Sequence, residues 1–114
     1  MKYALLIYSQ EARDSFDQLP EDEQRSILDE YMTIARERGV YGGEQLQPVA
    51  MTTTIRVEDG QTLTTDGPFI ETKEVLGGFF LLEADDLDRA LALAMRIPAA
   101  RMGGAVEVRP IVER

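Results

Sequence analysis

A chain of 114 residues with 44% hydrophobic and 29% charged residues is expected to form one ordered domain with a real core and no need for staples. Its formal charge of −9 argues against phosphate-backbone partners and anionic membrane surfaces, so neither nucleic-acid nor membrane binding is expected. Cysteine and histidine are both absent, which excludes disulfides, thiol nucleophiles, zinc fingers and any histidine base within the chain.

No apolar run approaches the ~18 residues that suggest a membrane span. Met1 to Tyr8 lacks the length and the small-residue cleavage site of a secretory leader, so a cytoplasmic location is expected. No cofactor or metal is expected.

Met1 to Ser9 reads as a strand, with Tyr3, Leu5 and Ile7 on one face and Ala4, Leu6 and Tyr8 on the other. Both faces are apolar, so both are expected to be covered. Gln10 to Leu19 is polar and acidic and reads as a loop. A helix starts near Pro20, where Glu21, Asp22 and Glu23 suit the positive end of its dipole. Ile27, Leu28, Tyr31, Ile34 and Ala35 form its apolar stripe, Glu21 and Arg25 can pair one turn apart, and Gly39 is its expected stop.

Val40 to Leu46 and Met51 to Val57 read as strands. Glu58-Asp59-Gly60-Gln61 is a hairpin turn, and Thr62 to Thr65 returns as the partner strand. Gly77 to Glu83 is again apolar on both faces, Phe79 and Leu81 against Phe80 and Leu82. Asp85 or Asp86 caps a second helix whose stripe is Leu87, Ala90, Leu91 and Ala94, widened by Leu93 and Ile97. Ala105 to Val112 is the last strand, with Val106, Val108 and Val112 opposite Glu107 and Arg109.

The order is strand, helix, strand, inserted hairpin, strand, helix, strand. That is an α+β, ferredoxin-like split β-α-β repeat with an inserted β-hairpin. Helices in such a domain cover one sheet face only. The apolar second face calls for a cover, and the expected one is the sheet of a second subunit in a homodimer.

Asp66-Gly67-Pro68-Phe69, followed by Glu71-Thr72-Lys73-Glu74, resembles the signature of the DGPFAETKE proteins, a branch of the wider YCII-related family. Ile70 stands where that signature has Ala. Further agreement comes from Met1-Lys2-Tyr3, Leu5-Leu6-Ile7-Tyr8, Gly43-Glu44, Leu46-Gln47-Pro48, Leu76-Gly77-Gly78-Phe79, Ile97-Pro98-Ala99-Ala100 and Val106-Glu107-Val108-Arg109-Pro110. The resemblance therefore covers nearly the whole chain. It implies a ferredoxin-like protomer that pairs into a dimeric α/β barrel. Better-studied members of the wider family use a His–Asp pair, and one relative is a dehydrochlorinase. With no histidine here, and Ile97 where such relatives place the Asp, that pair is not carried over. Relatives linked to extracytoplasmic-function sigma factors imply an accessory role.

The candidate pocket residues are Glu44, Asp66, Phe69, Lys73, Glu107 and Arg109. Asp66 and Phe69 either build a turn and anchor it or form the lip of a pocket. Lys73 either pairs with Glu71 and Glu74 or acts as a nucleophile or anion binder. Glu44 and Glu107 are either acid–base partners or solvated strand charges. Arg109, with Arg101, can clamp an anionic ligand or pair with Glu107 or with a partner subunit. Tyr8 and Tyr41 are either pocket donors or half-buried core, and the Asp85, Asp86 and Asp88 group is explained by capping and compensation of the helix dipole. Three functions follow: a small-molecule-binding or accessory protein, a lyase- or isomerase-like enzyme using carboxylate, Tyr or Lys, and a protein-interaction module.

Overall fold

The computed structural model describes residues 1–67 and 74–114, and of Gln10 the backbone alone. Strands β1 (Lys2–Tyr8), β2 (Val40–Gln45), β5 (Leu76–Glu83) and β6 (Ala105–Pro110) form one antiparallel sheet in the order β2-β5-β1-β6. β5 lies between β1 and β2, and β1 lies between β5 and β6. Each βαβ unit is thus split by a strand of the other, in agreement with the ferredoxin-like order expected from the sequence. Strands β3 (Thr53–Glu58) and β4 (Gln61–Asp66) pair with each other in a separate two-stranded sheet. The four-stranded sheet is open, and no barrel closes among the described residues.

Three helices are described: α1 (Gln10–Asp17), α2 (Glu21–Ala35) and α3 (Leu87–Ala94). α1 corrects the loop expected between Gln10 and Leu19. Ala12, Phe16 and Leu19 recur at spacings of four and three, and Ala12 is buried while Phe16 and Leu19 are half-buried. Three apolar residues in ten are a weak signal amid so much charge. The helix depends on packing one narrow stripe onto the rest of the fold.

Helix α2 has the expected acidic first turn and the Glu21–Arg25 pair at 3.9 Å. Its end lies earlier than expected, because Arg36 and not Gly39 follows the last helical turn. Gly39 serves the turn into β2 instead. Its φ is +94°, and a Cβ there would stand 2.3 Å from the Glu83 carbonyl oxygen. Asp59 and Gly60 both have positive φ, at 50° and 79°, as a two-residue hairpin of the primed type requires.

Asp86 caps α3 by accepting a hydrogen bond from the Arg89 amide at 2.9 Å. The α3 stripe is rotated from the expected one. Ala90, Leu93 and Ala94 are buried, with Ile97 just beyond, while Leu87 and Leu91 remain exposed. Small residues at 90 and 94 let the helix approach the sheet closely, and that sets the centre of the stripe. The last strand stops at Pro110, so Val112 lies outside it and is exposed.

The core forms between the helices and one sheet face. Tyr3, Leu5, Phe80, Leu82, Ile34, Leu93 and Ile97 meet there, and full burial of a residue such as Leu82 is worth about 1.5–3 kcal/mol. The expectation that both faces of β1 and β5 are covered holds for one face within the chain. The radius of gyration is 15.9 Å, against roughly 13 Å for a compact domain of this length. The molecule is a plate of 46 × 42 × 18 Å.

Candidate functional site

Strand register fixes which candidate residues share the open face. Glu44 on β2 lies opposite Phe79, Phe79 opposite Leu6, and Leu6 opposite Glu107 on β6. These four form one row across the sheet. The neighbouring row runs Gly42, Leu81, Ala4, Arg109. Leu6, Phe79, Ala4 and Leu81 are half-buried, so an apolar centre is flanked by charge at its two edges.

Glu44 and Glu107 therefore do not meet within one chain. Three inter-strand spacings separate them, about 14 Å. Glu107 does meet Tyr8, the residue at the end of the same face of β1. The Tyr8 hydroxyl hydrogen-bonds the Glu107 carboxylate. That bond, followed by burial and the nearby negative charge, holds the phenol above its ordinary pKa, while Arg109 opposes the shift. Tyr8, Glu107 and Arg109 are thus one electrostatic group. Arg101 is not part of it, because it sits beyond α3 and pairs with Glu30 of α2 at 2.5 Å.

Asp66 ends β4 opposite Thr53, at the open end of the hairpin, and is exposed. The adjoining turn is tied back twice. The Gly67 amide donates to the Thr52 carbonyl at 2.7 Å, and the Thr54 hydroxyl donates to the Gly67 carbonyl at 2.7 Å. Phe69 and Lys73 lie outside the described residues. Tyr41 is half-exposed on β2, with the Lys2 ammonium 5.6 Å from its ring centre. Among the described residues, no group of three or more acidic side chains is placed to hold a metal ion.

The hollow that a ligand can enter lies on the other side of the sheet. A cavity of about 560 Å³ opens between α1, α2 and the sheet. Its walls are Ile7, Ala12, Phe16, Ile27, Leu28, Tyr31, Met32 and Phe80. Gly43, Gly77 and Gly78 bring no side chain to fill it, and Ser9, Arg13 and Glu44 stand among its polar residues. Volume and lining both match the usual small-molecule site, an apolar hollow with few polar groups. Burial raises the Tyr31 pKa, and a hydrogen bond with the Ala99 backbone works the other way. A wider groove of about 640 Å³ runs beside Glu11, Glu23, Glu30 and Arg101, but it is shallow and open and its one arginine is already paired.

Of the pocket candidates among the described residues, this cavity includes Glu44 and not Asp66, Glu107 or Arg109. Phe16 and Arg13 were hidden by reading α1 as a loop. Leu28, already part of the expected α2 stripe, and Met32, four residues on, are both about half-exposed, and that i, i+4 spacing was the available signal for Met32.

The whole chain, residues 1–114, matches the model of the YCII-related domain. An uncharacterized protein of Rhizobium meliloti (strain 1021) is 37% identical over 116 residues, which cover 97% of this chain and 92% of that protein.

Proposed function

The chain belongs to the YCII-related family, and from that premise we propose that it is a small-molecule-binding protein that works as a homodimer, with its ligand held between α1, α2 and the sheet. The observation that carries this reading is the 560 Å³ cavity, whose walls include Leu28 and Met32, both about half-exposed. A single apolar side chain at the surface is ordinary, whereas a lined hollow of ligand size is the usual form of a binding site.

Binding is favoured over lyase- or isomerase-like catalysis because the carboxylates of Glu44 and Glu107 stand at opposite ends of one row. The Tyr8–Glu107 pair is the acid–base candidate of that second reading. Homodimer formation is supported by the apolar centre of the open face, where Ala4, Leu6, Phe79 and Leu81 lack a cover.

The binding reading is tested with N-phenyl-1-naphthylamine, an uncharged apolar dye that fluoresces on leaving water. Saturable binding is expected, and Leu28→Trp, which places a larger ring in the cavity, is expected to weaken it about tenfold or more. Absence of saturable binding, or unchanged binding to the Leu28→Trp protein, overturns the reading.

A further inference from the structure

Resting on the cavity reading above, we infer that the ligand is an apolar molecule carrying one anionic group, and that Arg13 receives that group. The walls accept hydrocarbon or aromatic surface through Phe16, Leu28, Tyr31, Met32 and Phe80. The charge of the ligand is decided by what the polar residues have left to offer.

Arg13 is half-buried on α1, one of the two helices that line the cavity. Its one described hydrogen bond is a long one, from Nη2 to the Leu46 carbonyl oxygen at 3.4 Å, and it makes no ion pair among the described residues. A carbonyl dipole leaves the guanidinium's full charge uncancelled and most of its five donors unused. Other arginines of the chain behave differently: Arg89 and Arg96 pair with Glu37, and Arg101 pairs with Glu30.

Ser9 adds a second polar contact. It stands at the N-terminal cap of α1, yet its hydroxyl makes no capping hydrogen bond. The hydroxyl lies toward β5, where a Cβ on Gly77 would come within 2.0 Å of it. A hydroxyl both donates and accepts, so it suits an oxyanion held by the neighbouring arginine. Glu44 is the acidic residue at the cavity, but its register opposite Phe79 puts it on the open face of the sheet. Asp17, one turn beyond Arg13 on α1, is exposed and makes no ion pair with it, and the two other acidic residues of α1 are engaged elsewhere. Glu11 packs its carboxyl group beside Gly103, and Asp14 has an interaction of its own. An oxyanion on an apolar body is the ligand that satisfies both walls and rim.

Two dyes differing in one group provide the test. 8-Anilinonaphthalene-1-sulfonate is N-phenyl-1-naphthylamine with a sulfonate added. The protein is expected to bind the sulfonate more tightly than its neutral parent. Arg13→Gln is expected to weaken the sulfonate about tenfold or more, in line with a lost charge-assisted hydrogen bond, and to leave the neutral dye within about twofold. Arg13→Lys is expected to retain part of the preference, because it keeps the charge and loses the fork. If Arg13→Gln weakens both dyes equally or neither, the anion inference is overturned while the cavity reading stands. If Leu28→Trp also leaves the neutral dye unaffected, the cavity reading itself falls. Far-ultraviolet circular dichroism of each variant, matching the parent protein, guards against misfolding as the cause.

Discussion

The two faces of the four-stranded sheet are built by the same strands from nearly the same kinds of residue, yet they have different fates. On β1, Tyr3, Leu5 and Ile7 are buried, while Ala4, Leu6 and Tyr8 are only half-covered. On β5, Phe80 and Leu82 are buried, while Phe79 and Leu81 are not. Hydrophobicity does not choose between the faces. The choice is made by connections that bring α2 and α3 to the same side, and by stripes on those helices that need a partner. An apolar face without helices is then an unmet requirement, and its charged edges, Glu44 at one end and Glu107 with Arg109 at the other, limit how a second surface can meet it.

The largest expected effect is on the covered face. Leu82→Ala removes a fully buried side chain and is expected to cost about 2–5 kcal/mol in denaturant unfolding. Leu6→Lys on the open face is expected to leave a folded chain but to abolish the dimer in sedimentation velocity at micromolar concentration. If Leu6→Lys stays dimeric, or if the parent protein is monomeric there, the open face is not the subunit interface and the contrast between faces loses its meaning.

Next in size is the cap that starts α3, one of the covering helices. Asp86→Ala removes the carboxylate that accepts from the Arg89 amide and is expected to cost about 1 kcal/mol. A loss indistinguishable from zero would mean that packing of Ala90, Leu93 and Ala94 alone holds the helix start.

The smallest effect concerns Glu37, which ties the end of α2 to α3. It accepts from Arg96 at 2.6 Å and lies 3.8 Å from Arg89. The Arg96 hydrogen bond and charge hold its pKa below the ordinary carboxylate value. A depressed folded pKa contributes stability above the unfolded pKa, and that stability is lost as pH falls through the folded value. Melting curves should therefore separate Glu37→Gln from the parent slightly at pH 7, and the gap should close as pH falls beneath the ordinary carboxylate range and through the lower folded value of Glu37. A gap that persists in acid would show that packing of the side chain, not its charge, joins the helices.

Much of the fold was legible in the sequence, because period-two and helical patterns are local. Both two-faced strands, the Asp59-Gly60 hairpin, the Asp86 cap and the final polar–apolar alternation all rest on nearest-neighbour chemistry. α1 was not legible, since a helix with two apolar residues, Ala12 and Phe16, exists only through what it packs against. The candidate site was read less well for the same reason. Glu107 and Arg109 were placed together correctly as one side of a strand. That Glu44 lies a sheet's width away, and that Arg13 stands beside a hollow made by two helices, follow from tertiary placement alone.

The plate-like shape has one further consequence. In a body 18 Å thick, no point is more than about half that distance from the bounding surface, so water's polarisability reaches almost everywhere. Consistent with this, no charged side chain is among the buried residues described. A single subunit is a poor medium for making a strong acid or base out of an ordinary carboxylate. A second layer laid over the open face would double the thickness at Tyr8 and Glu107 and lower the dielectric response around them, so assembly itself would act as the control on their chemistry.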